Sequence, residues 1–101
     1  MINVIASVRV KAGKVSEFLG MFKTNASRVR KEKGCIEYFP AVDAHADLPG
    51  QNLDENVVTI IEKWESLDAL RDHLASPGMQ DQLKSQKDFI EAINIKVLQE
   101  A

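Results

Sequence analysis

The sequence predicts an α+β fold of the ferredoxin-like kind, an antiparallel four-stranded sheet with helices on one face. Three observations predict it. The apolar residues switch between a period of two and a helical period in the order strand, helix, strand, strand, helix, strand, which is the split β-α-β pattern. Glycine and proline punctuate the chain at Gly13, Gly34, Pro49-Gly50 and Pro77, near those switches. The length of 101 residues fits one domain, residues 1–101, and argues against two.

Residues 2–11 open the pattern. Ile2, Val4, Ala6, Val8 and Val10 fall on one face; Asn3, Ser7, Arg9 and Lys11 fall on the other, with Ile5 the exception. That is a half-buried strand, broken at Ala12-Gly13. From Lys14, the apolar residues Val15, Phe18, Leu19, Phe22, Ala26 and Val29 recur at mostly three- and four-residue steps. They form the stripe of an amphipathic helix, and Gly34, just after Lys31-Glu32-Lys33, is placed to end it. Cys35 to Val42 reads as a second strand, with Pro40 marking an edge or a bulge. The stretch Asp43 to Asn56 is long for a loop in a small domain, and reads either as a lid or partner contact or as a tolerated insertion.

Val57 to Glu65 is apolar on both faces through Val57, Val58, Ile60 and Ile61, as expected of a central strand. Ser66 is placed to cap a helix carrying Leu67, Leu70 and Leu74. Ser76-Pro77 starts a second helical piece with Met79, Leu83 and Phe89. Ala92 to Leu98 closes the chain as a strand with Ile93, Ile95 and Val97 on one face. Ile5, Val58 and Ile60 leave neither sheet face wholly polar, so a sheet with helices on one side is expected to pair with a second copy through the other.

With 45% hydrophobic and 28% charged residues, the composition is that of an ordinary soluble globular protein. A net charge of −2 gives no basic surface for nucleic acid. The densest basic run, Arg28, Arg30, Lys31 and Lys33, reads as the solvated end of a helix rather than a phosphate site. One cysteine, Cys35, gives no sign of an oxidising compartment. No signal peptide opens the chain, and no stretch approaches the roughly 18 apolar residues of a membrane span. Cytoplasm is the default expectation.

Dinucleotide, phosphate-loop, CxxC and GxSxG motifs are all absent. His45 and His73 lie in a loop and on a helix, so no metal centre is expected. The residues able to carry chemistry are few. Trp64, the only tryptophan, closes the central strand; it is either a core aromatic or the wall of a ring-binding pocket. His73 lies at the margin of a helix's apolar stripe, where an imidazole either hydrogen-bonds at a boundary or faces a cavity as a general acid–base. Tyr38 could offer a hydroxyl to a bound oxygen or could simply pack. Asn3 and Asn94, polar residues in apolar strands, could line a pocket. Cys35 reads as a small buried hydrophobe rather than a nucleophile.

The stretch Glu62-Lys63-Trp64-Glu65-Ser66-Leu67, followed by Ala69-Leu70, His73-Leu74, Ser76-Pro77 and Met79, resembles the signature of the antibiotic-biosynthesis-monooxygenase family. Gly34-Cys35, Tyr38, Pro40, Val42-Asp43 and the closing Asn94-Ile95-Lys96-Val97-Leu98-Gln99 agree, so the resemblance covers nearly the whole chain. It looks nearest to the small bacterial quinol monooxygenases. The resemblance implies a dimeric α+β barrel, built by packing sheet on sheet in a homodimer. It implies oxygenation of a quinol or phenol by O₂ with no flavin, haem or metal, on a small aromatic substrate. On that basis His73 and Tyr38 are the candidate catalytic residues, and Trp64, Asn3, Met79 and Asn94 the candidate substrate contacts. The haem-degrading enzymes of this scaffold use an asparagine, a tryptophan and a histidine at places that fall on Ala6, His73 and Leu83, which speaks against haem degradation. A non-catalytic small-molecule-binding protein, or a non-oxidative isomerase or lyase on the same scaffold, stays open, because fold does not fix reaction.

Overall fold

A computed structural model describes residues Met1–Ala101. Its elements are β1 (Ile2–Val10), α1 (Val15–Val29), β2 (Cys35–Ala41), β3 (Val57–Trp64), α2 (Leu67–Ala75), α3 (Pro77–Gln86), a single 3₁₀ turn (Lys87–Phe89) and β4 (Ile90–Leu98). The strands form one antiparallel sheet in the order β2-β3-β1-β4. The α+β ferredoxin-like expectation therefore holds, and β3 is an interior strand, as its two apolar faces require.

The period-two pattern of β1 becomes a division of the sheet into two faces. Ile2, Val4, Ala6, Val8 and Val10 are all buried, and so are their counterparts Val58, Ile60, Glu62 and Trp64 on β3. Helix α1 lays Phe18, Phe22, Ala26 and Val29 on this face. Their four-, four- and three-residue steps keep one side of the helix on the sheet. The opposite face, with Asn3, Ile5, Ser7 and Arg9, carries no helix, and Ile5 aligns across it with Ile61, which aligns in turn with Phe39.

Three boundaries differ from the sequence expectation by two residues or more: the end of α1, the end of α3 and the start of β4. Helix α1 ends at Val29 and not at Gly34, because the next amides fold into a tighter turn: Lys31 N donates to Arg28 O and Glu32 N to Val29 O. Gly34 then turns the chain into β2 at φ +83°, and a Cβ there would lie 2.6 Å from the Ala69 Cβ, so glycine is required both by the backbone and by the close approach of α2. Strand β4 begins at Ile90, with Phe89 in the turn before it. On α2, Leu67 and Leu74 are exposed, and the inward side chains are Leu70 and His73.

The basic run is not merely solvated. Arg30 donates to the Tyr38 carbonyl at 2.8 Å, and Arg28 reaches Glu32 and the Gln82 carbonyl, each at 3.4 Å. Two of the four cations thus pin the end of α1 to β2 and α3. Loop 43–56 is exposed and anchored at its end, where Asp54 pairs with Arg9 at 2.8 Å and Val10 N donates to Asn56 O. No helix is long and apolar enough to cross a membrane.

Candidate functional site

A cavity of about 110 Å³ lies between the helical face of the sheet and helices α2 and α3. Val4, Ala6 and Val8 form its floor, Phe18 and Phe22 one wall, and Met79 and Leu83 another. Ile93, Ile95 and Val97 of β4 complete it but stay about half exposed, so the cavity opens at that edge of the sheet. Only four polar or charged side chains of the protein are buried, namely Glu62, His73, Gln82 and Gln86, and all four border this one cavity.

His73 is 2% exposed. Its Nδ1 lies 3.0 Å and 3.2 Å from the two carboxylate oxygens of Glu32, on the turn after α1. A carboxylate only accepts, so Nδ1 carries the proton and donates it, leaving Nε2 as the free acceptor of the ring. The imidazole is held on its faces as well. It stacks on Trp64 with centroids 4.7 Å apart and meets the edge of Tyr38 at 5.6 Å. A buried imidazole with its tautomer fixed by a carboxylate has the geometry to serve as a general base.

Tyr38 stacks on Phe22 at 5.2 Å and receives a hydrogen bond from Gln82 Nε2 at 3.4 Å. Burial pushes its hydroxyl pKa well above the ordinary tyrosine value, which the Gln82 bond only partly offsets, so the phenol stays protonated and acts as a donor. Burial also raises the Glu62 carboxyl; the Trp64 indole and His73 pull it back down. The Cys35 thiol is raised as well, by burial first and then by the nearby Glu32 and Glu62, which disfavours its thiolate.

His73, Tyr38 and Met79 are therefore brought together at the cavity, and three other candidates are not. Trp64 is fully buried behind His73 and borders no part of it; the indole N–H donates to Glu62 Oε1 at 2.9 Å. Its role as a ring wall is replaced by that of a core residue that orients Glu62 and backs His73. Asn3 and Asn94 belong to the other face of the sheet. Asn3 aligns with Lys63, and Asn94 with Ser7, one residue out of phase with Val4 and Ile95 at the cavity. His45 lies in the exposed loop, in an open depression with Asp43 and Asp54 that His73 does not border. None of residues 43–56 borders the cavity, so in one chain the loop is not its lid.

Sequence reasoning missed Gln82, Gln86 and Glu32 and gave Glu62 no role in the site. For Glu62 the signal was present: Val58, Ile60, Glu62 and Trp64 share one phase of a strand, which puts a carboxylate on the buried side.

A family model described as antibiotic biosynthesis monooxygenase matches residues 1–84. The "probable quinol monooxygenase YgiN" of Escherichia coli K12 is 34% identical over 101 residues, covering 98% of this chain and 97% of that protein. Among solved structures, a conserved protein from Methanosarcina mazei Go1 superposes with a TM-score of 0.85 at 23% identity, covering 99% of this chain and 92% of that one. PA3566 from Pseudomonas aeruginosa gives a TM-score of 0.81 at 19% identity, covering 99% and 93%. At these identities the structural likeness bears on the fold alone.

Proposed function

The chain belongs to the antibiotic biosynthesis monooxygenase family, and on that premise we propose that it oxidises a quinol or related phenolic aromatic with O₂, without an added cofactor, as a homodimer. One observation carries this reading: every buried polar side chain faces a single, otherwise apolar cavity. Such a lining suits a flat aromatic whose few oxygen atoms need partners. At about 110 Å³ the enclosed part is near the ~150 Å³ that holds one benzene ring, and the open β4 edge lets a larger ring system project.

The chemistry follows from the side chains. His73 Nε2 takes the proton of a ring hydroxyl, and the Glu32 carboxylate stabilises the imidazolium that forms. The deprotonated quinol is electron-rich enough to pass an electron to O₂. One oxygen atom enters the ring and the other leaves as water; the quinol, ending as a hydroxylated quinone, supplies the two electrons, so no external reductant is needed. Tyr38, kept neutral by burial, is the donor for a ring oxygen. The apolar walls keep bulk water from the intermediates.

The test is oxygen uptake with a naphthohydroquinone, against heat-killed protein and uncatalysed autoxidation. Uptake above both controls with a hydroxylated quinone as product is the expected result. Quinone binding without any product would make the protein a binder, and turnover under anaerobic conditions would point to proton-transfer chemistry instead; either result overturns the monooxygenase reading.

The dimer is proposed on the helix-free face. Ile5, Ile61 and Phe39 form an apolar row across three neighbouring strands there, and a chain this small gains from covering it. A stable pairing should bury roughly 800 Å² per partner. Light scattering after size exclusion should give twice the 11.3 kDa of the chain; a mass equal to one chain at micromolar concentration would overturn this.

A further inference from the structure

The two buried glutamines of α3, one helical turn apart, are not equivalent. Gln82 is fully engaged. Its carbonyl accepts from Arg28 and its amide donates to the Tyr38 hydroxyl, each at 3.4 Å, so it ties α1, α3 and β2 together. Gln86 is 4% exposed and borders the cavity, and its Nε2 is the one buried side-chain nitrogen or oxygen with no hydrogen-bond partner. A buried donor without an acceptor destabilises the protein that carries it, and the space beside this one is the cavity. Leu83 and Ile90, which flank it in the chain and also border the cavity, offer it no side-chain acceptor.

We propose that Gln86 donates Nε2–H to an oxygen of the bound ring and so determines which aromatics the cavity accepts. His73 comes from α2 and Gln86 from the last turn of α3, so two separate polar contacts reach one apolar space from different helices. The ligand class that satisfies both carries a hydroxyl for the His73 acceptor and a second ring oxygen for the Gln86 donor, as a hydroquinone does; the carbonyl oxygens of a quinone answer Gln86 alone. A ring with a single oxygen leaves one of them unpaired, and a hydrocarbon leaves both. The inference rests on the reading that this cavity holds an oxygenated aromatic, but it does not require turnover.

Calorimetric titration of the 101-residue protein with naphthoquinone and with naphthalene tests it, on wild type, Gln86→Leu and Gln86→Met. Both variants should bind naphthoquinone about tenfold more weakly, the equivalent of ~1.4 kcal/mol, and bind naphthalene as well as wild type or better. Both should also melt higher than wild type without ligand, because the unpaired donor is gone. An unchanged ratio of the two affinities in both variants, as expected if a buried water already satisfies Gln86, would overturn the inference. The two proposals separate cleanly. Quinone preference that depends on Gln86 in a protein with no oxygen uptake supports the inference and sinks the monooxygenase reading. Oxygen uptake with a preference indifferent to Gln86 does the reverse.

Discussion

Replacing His73 with Asn should lower kcat for a naphthohydroquinone by roughly 10²–10⁴-fold, the usual contribution of a positioned general base, while leaving KM within a few-fold. Asn is the informative choice. Its amide can still donate to Glu32, as Nδ1 does at 3.0 Å, so the turn after α1 keeps its anchor, but it offers no basic nitrogen to the ring. Ala is a second test. His73→Ala leaves a space between Tyr38 and Trp64 and a carboxylate without its partner, so it should lose stability as well as rate. Free imidazole added to that variant should restore part of the turnover, which a merely structural histidine would not permit. Glu32→Gln should slow the reaction less than either change, since the imidazole remains and only its tautomer and its charge compensation are disturbed. A folded His73→Asn protein with unaltered kcat would remove His73 as the base and shift attention to Glu62, the buried carboxyl at the cavity.

The sequence made His73 visible and hid its partner for the same physical reason. A histidine beside an apolar stripe can be recognised on its own helix, because helical neighbours three and four residues apart share a face. Glu32 is 41 positions away, and nothing local says that the turn after α1 meets the last turn of α2. Asn3 and Asn94 teach a different lesson. Their exclusion from the cavity was already legible, because strand alternation sets Asn3 with Ser7 and Arg9, opposite to Ile2 and Val4, and sets Asn94 opposite to Ile93 and Ile95. A polar residue within an apolar strand is a pocket candidate only if its phase is that of the pocket. Gln82 and Gln86 were not legible. Helix α3 is polar along most of its length, and which side of it meets the sheet is decided by α1 and α2, through Arg28 and the Ser76 cap. The element order and the central place of β3 could be read because they depend on period and punctuation alone. The polar lining depends on contacts between elements distant in the chain.

Trp64 sets the limit on how far the site can be altered without losing the fold. It is fully buried, and its truncation to Ala should cost ~3–5 kcal/mol, a large share of the ~5–15 kcal/mol that holds a domain of this kind together. Trp64→Phe separates the indole's two roles. It keeps a ring against His73 and removes the N–H that donates to Glu62 at 2.9 Å, leaving a buried carboxylate with an orphaned oxygen at a cost of ~1–3 kcal/mol. That change should also show in the pH dependence. Burial raises the Glu62 carboxyl above its ordinary 4.5, and the indole is the first of the groups that pull it back. A carboxyl raised in the folded state binds more protons folded than unfolded, so its stabilising contribution is complete below pH 4.5 and is lost as pH rises through the folded-state value. Without the indole the folded-state value moves higher, and the loss grows. Urea unfolding of Trp64→Phe across the range from pH 4 to pH 8 should therefore give a curve that falls away from the wild-type one toward neutral pH. Curves that stay parallel over that range would mean that the indole hydrogen bond does not govern Glu62, and that Trp64 serves the site through packing against His73 alone.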